Sequence, residues 1–109
     1  MGNSTQISLT DSEMSSDQYY SVEFSLPGHT LPYQFKIWYM GPESMCLLVK
    51  EHSKIIESIK VGDVLNMKYY SADSLNYTKD IETEIRQIIK EDDGRFKGHF
   101  LIGLAILGN

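Results

Sequence analysis

Tyr39, Gly41 and Ser44, in the stretch IWYMGPESMCLLVK at residues 37–50, stand where a phosphate-binding turn carries its polar anchors. Such a turn holds an anion with hydroxyls and backbone N–H groups, and takes much of its strength from nearby guanidinium donors. None is near in sequence: the chain's arginines are Arg86 and Arg95, far downstream. The turn has the outline of a ligand site without the charge to fill it.

Other chemistry is sparser still. His29, His52 and His99 are far apart, and none has a second His or Cys at metal-ligand spacing, so they read as surface or hydrogen-bonded histidines. The single cysteine, Cys46, lies in an apolar run with no base beside it and reads as a small core hydrophobe. Asp92 and Asp93 precede Gly94, but the alternating carboxylates and distant Glu of a calcium loop are missing, which leaves a turn. Glu43 and Ser44 lack the glycines of a nucleophile elbow, and no Walker-type or dinucleotide glycine motif occurs. No catalytic residue, metal or resident cofactor is expected, and the chain does not read as an enzyme.

Composition narrows the partners. The 109 residues suit one domain, and the 41% apolar share can supply a core. A net charge of -5 with scattered basic residues disfavours nucleic acid and anionic membrane surfaces. The longest apolar run, 100–107, falls well short of the roughly 20 residues that span a bilayer. With one cysteine and no secretory leader pattern, a cytoplasmic protein is expected.

The elements that must position these residues are mostly strands. Residues 1–18 are polar and read as a disordered tail, leaving 19–109 as the folded domain. YYSVEFSL puts Tyr20, Val22, Phe24 and Leu26 on one face, and YQFKIWYM puts Tyr33, Phe35, Ile37 and Tyr39 on one face. Trp38 and Met40 then face outward, a candidate partner patch. GPES turns the chain into MCLLVK, a hairpin. A short helical turn is expected near residues 53–60, and DVLNMKYY returns to alternation. Residues 81–90 are ambiguous: Ile81, Ile85, Ile88 and Ile89 fit a helix, while Ile81, Thr83, Ile85, Gln87 and Ile89 fit a strand face. The turn signal KEDDGRFKG and the apolar HFLIGLAIL tip the reading to a hairpin of 81–90 with 96–107. Six strands with short connections predict an all-β, six-stranded antiparallel barrel, closed to hide the edges of its stickiest strand.

In order and spacing, FKIWYMGPESMCLLV, then IIESIKVGDVLNMKYY, then ETEIRQIIKEDDGRFKGHFLIGLAIL resemble the PilZ domain, a six-stranded bacterial barrel. IKVGDVL resembles that family's middle step and FLIGLAI its last strand, and the resemblance spans roughly Tyr19 to Leu107. It implies a signalling role, binding cyclic-di-GMP and relaying it to motility or surface-growth machinery. The family binds its messenger through an Arg-x-x-x-Arg segment and an Asp/Asn-x-Ser-x-x-Gly turn. On this chain the turn positions fall on Tyr39, Gly41 and Ser44, all three changed, and the segment around residues 15–21 holds no basic residue. Each charge-assisted bond contributes about 1.5–3 kcal/mol, so losing two arginines removes orders of magnitude of affinity.

The expectation is therefore a divergent PilZ-like adaptor, a monomer or weak dimer, acting through contact with a protein of a bacterial signalling or motility pathway. The alternative is a cyclic-di-GMP receptor of non-standard mode, with Arg86 and Arg95 as charge donors. An oligonucleotide-binding barrel is a third class, disfavoured by the negative charge.

Overall fold

Period-two alternation carries most of the chain into strands, and the computed structural model describes residues 19–41, 44–71 and 78–108. The strands are β1 (Tyr19–Phe24), β2 (Tyr33–Lys36), β3 (Trp38–Gly41), β4 (Ser44–Lys50), β5 (Val64–Ser71), β6 (Thr78–Glu91) and β7 (His99–Gly108). All pair antiparallel in one sheet of order β2-β1-β5-β6-β7-β4-β3. A 3-10 turn, Lys54–Ser58, follows β4 and is capped by the Ser53 hydroxyl, which accepts from the Ile55 N–H at 3.3 Å. That is the helical turn expected near residues 53–60. The expected tail (1–18), the Pro42–Glu43 turn tip and most of the loop after β5 lie outside the described residues.

The number of strands and the closure differ from the sequence reading. The segment expected as one strand over 33–40 bends at Ile37, which is buried and donates its N–H to Tyr20 O at 2.9 Å. Its first half pairs with β1 through Val22↔Phe35, and its second with β4 through Trp38↔Cys46. One extended segment thus supplies both ends of the sheet. Among the described residues no ladder joins those ends, so seven strands form a curled half-barrel instead of a closed six-stranded barrel.

Register shifts fall at Tyr19/Ser21, Tyr39/Gly41, Glu82/Thr83 and Ile85/Gln87, and the first and last of them reset the alternation of core residues. In β1 the register slips between Tyr19 and Ser21, so Tyr19 and Ser21 are buried with Val22, Phe24 and Leu26, while Tyr20 is exposed against expectation. In β6 the partners run Ile85↔Leu104 and then Gln87↔Gly103, leaving Arg86 as the extra residue. Ile81, Thr83 and Ile85 face the core before this bulge. After it Ile88 turns inward, and Gln87 and Ile89 turn out. The helix-like spacing of Ile81, Ile85 and Ile88 is therefore that of a strand with one inserted residue.

The concave side holds the core. Val22, Phe24, Leu47, Val49, Ile55, Met67, Tyr69, Ile81, Ile85, Ile102 and Leu104 pack there, each contributing about 1.5–3 kcal/mol when fully buried. Phe24 stacks on Phe35 at 6.0 Å, which in turn stacks on Tyr33 at 6.3 Å, lining the β1–β2 end. The only hydroxyl pair deep in this core is Tyr69 with Thr83, at 2.7 Å among the described residues. Burial pushes the Tyr69 phenol up to about 12.

Candidate functional site

The convex side of the sheet is divided in two. Residues opposite one another in a ladder share a face. Across β2, β1, β5 and β6 one outward row reads Gln34, Glu23, Lys68, Asp80, and the next reads Asn66, Glu82. Across β3, β4, β7 and the second half of β6 the rows read Trp38, Cys46, Gly103, Gln87 and then Leu48, Leu101, Ile89. That these residues point outward is fixed at Gly103, where a Cβ would meet the exposed Gln87 side chain at 3.2 Å. The first half is charged; the second is apolar from Trp38 to Leu48, Leu101 and Ile89, and it ends in the charged row Lys50, His99, Glu91.

A cavity of about 640 Å³ opens on the apolar half, lined among others by Met40, Ser44, Met45, Arg86, Leu101 and Ala105. Arg86 reaches it because it is bulged out of the ladder. Its Nε donates to Glu84 Oε1 at 2.7 Å, which leaves the other guanidinium donors without a partner among the described residues. Cys46, read from the sequence as a small core hydrophobe, is buried but on this outer side and not in the inner core, and burial raises its thiol pKa.

Beside the cavity Trp38 is half-buried, less open than a free outward patch. Phe96 from the β6–β7 turn meets it edge-on at 5.7 Å, and Lys36 Nζ sits 4.5 Å over its ring. Arg95 stacks over Phe96 at 4.9 Å. Met40 remains 50% exposed at the edge of the face.

The turn residues separate. Tyr39 points to the opposite end of the sheet: its hydroxyl accepts from the Tyr19 N–H at 2.9 Å and donates to the Tyr19 carbonyl at 3.0 Å. Burial raises its pKa, and the backbone bond to Tyr19 partly offsets this. Gly41 pairs with Ser44 at the end of the hairpin. The structure therefore brings Met40, Ser44 and Arg86 to one cavity and Trp38 and Arg95 to one aromatic cluster, and sends Tyr39 to the seam of the half-barrel. Phe96, Lys36 and Leu101 had no part in the sequence-derived site. The apolar outer residues of HFLIGLAIL were visible, but they entered the sequence reading only as the second strand of the last hairpin.

A second cluster sits away from this face. His29 Nδ1 lies 2.6 Å from the Tyr33 hydroxyl and its Nε2 2.9 Å from Ser58 Oγ. These bonds tie the β1–β2 connection to the 3-10 turn, the hydrogen-bonded role expected of the histidines. Among the described residues no group of three His, Cys, Asp or Glu could hold a metal ion. No helix there is long and apolar enough to cross a membrane.

No family model matches the chain, and neither a curated protein nor a solved structure matches it.

Proposed function

We propose that this chain is a divergent PilZ-like module that acts by contact with a protein, without the family's usual cyclic-di-GMP site. The family part rests on the order and spacing of IKVGDVL and FLIGLAI, and it carries the expectation of a partner in a bacterial signalling or motility pathway in the cytoplasm. The protein-contact part rests on one observation, the make-up of the outer face of β3, β4, β7 and late β6. Trp38, Phe96, Met40, Arg86 and Arg95 gather there, and these are the residue types that interfaces concentrate. The other outer half carries Glu23, Lys68, Asp80 and Glu82, the types that interface centres lack.

Paired photo-crosslinking tests this. A benzophenone amino acid at position 40 or at position 66 is exposed to bacterial lysate. Discrete protein adducts from position 40 and none from 66 are expected. Equal adducts from both positions contradict the reading.

A second reading is favoured by the cavity itself, where Ser44, from the family's turn, meets Arg86. In it the chain binds cyclic-di-GMP there, with Arg86 on a phosphate or stacked on a guanine. Arg95 stacks on Phe96 and does not line that cavity, so Arg86 carries the charge alone. Replacing both arginines by Ala, with messenger affinity unchanged, excludes this mode.

A further inference from the structure

The protein-contact reading leaves the kind of partner open, and the charges around the apolar face narrow it. The chain carries 15 acidic and 10 basic ionisable residues, yet both of its arginines border this one face. Arg86 stands at the cavity with one donor committed to Glu84. Lys36 and Arg95 rest on the rings of Trp38 and Phe96, and among the described residues neither forms an ion pair. A cation on a ring keeps its charge and most of its donors, and the ring beneath holds it in place. The cavity sets the apolar groups of Met40, Met45, Leu101 and Ala105 beside the polar groups of Ser44, Arg86 and Gln87, and has room for a large side chain.

We infer that the face receives an acidic segment of a partner protein, with a Leu, Met or Phe side chain in the cavity and carboxylates on Arg86 at one side and on Lys36 and Arg95 at the other. The inference rests on the protein-contact reading. Charge selects this face over the other outer half. There Glu23 and Tyr70 are already joined at 2.7 Å, and Asp80 and Glu82 repel a carboxylate. It also selects against basic partners, which the net charge of -5 would otherwise attract. Glu84 and the turn residues Asp92 and Asp93 border the same region, so the selectivity comes from the placement of the stacked and bulged cations and not from a uniformly positive surface.

The test pans the full chain against a random dodecapeptide library and titrates the best synthetic peptide into isotope-labelled protein. Enriched peptides are expected to combine Asp or Glu with Leu, Met or Phe, and to shift the amides of Ser44, Gln87 and Gly103. Arg86→Gln with Arg95→Gln should weaken binding about tenfold or more, and added salt should weaken the wild type in the same direction. Both arginines are at the surface, and a melting curve of the double variant checks that the fold is kept. Neutral or basic peptides that bind this face with no loss on the double substitution overturn the acidic partner and leave protein contact standing. Peptides that shift Glu23, Lys68 and Asp80 instead, or a library that returns no binder, count against the contact face itself.

Discussion

The two outer halves of one sheet make an instructive pair. They share the curl and the concave core, but differ in what each row presents. Over β1, β5 and early β6 the outward residues are Glu23, Lys68, Asp80, Asn66 and Glu82, and the inner side hides the Tyr69–Thr83 hydroxyl pair. Over β3, β4, β7 and late β6 the outward residues include Trp38, Leu48, Leu101 and Ile89 before the charged end row of Lys50, His99 and Glu91, and the inner side is apolar through Leu47, Val49, Ile102 and Leu104. An apolar outer face of this kind is what the proposed contact with a protein requires. The bulge at Arg86 marks the border within β6, and it is also what delivers a guanidinium to the apolar side.

The sharpest way to break this comparison is to ask whether the apolar outer face is merely a second core. Leu47→Ala, at a site 1% exposed, should cost about 2–5 kcal/mol in urea unfolding. Leu101→Ala on the outer side should cost clearly less. An equal loss would make the outer face structural.

The polar half is probed through Tyr69. Its phenol is neutral in the fold up to about pH 12, whereas an unfolded tyrosine ionises near 10. Between those values the folded state holds the extra proton. The stabilisation is therefore complete below pH 10 and is lost as pH rises toward 12, by on the order of 2 kcal/mol. Tyr69→Phe should flatten that alkaline decline relative to wild type, in denaturant midpoints taken across pH 9–12. An unchanged decline would place its origin elsewhere.

The seam between the halves comes next. Tyr39→Phe removes two bonds to the Tyr19 backbone and should cost about 1–2 kcal/mol by thermal unfolding, with the outer face intact. A neutral effect on stability would return Tyr39 to the list of ligand residues. The smallest change is at Met40, half exposed on an edge strand. Met40→Glu should move stability by no more than about 0.5 kcal/mol while abolishing the adducts formed from that face, as read by crosslinking from a neighbouring position such as 44.

Much of the fold was legible because alternation survives wherever one face meets the core and the other meets water. The strand pairing at residues 33–36 and the strand over 64–70 followed from it, whereas the strand over 81–90, ambiguous by periodicity, followed from the turn signal at Asp92–Asp93–Gly94 and the apolar run after it. What was hidden were single-residue events. The bend at Ile37 and the bulges in β1 and at Arg86 leave no composition signal, yet they change the strand count, expose Tyr20 and turn Gln87 outward. The site was legible in its members but not in their grouping. Ser44, Met40 and Arg86 meet only because β3, β4, β7 and β6 are neighbours in the sheet. Tyr39 leaves the group because its phenol reaches Tyr19, 20 positions away in the chain. Phe96 lay inside a turn signal, where glycine and aspartate drew the attention.

The measurement that bears most directly on the account is a titration of isotope-labelled protein with cyclic-di-GMP, following the amides of Ser44, Arg86, Gln87 and Gly103. With no arginine pair beside the turn, the account expects no saturable shift at millimolar messenger. Saturable shifts clustered at those four amides would contradict it, and would make the apolar face a nucleotide site with Arg86 as its anchor.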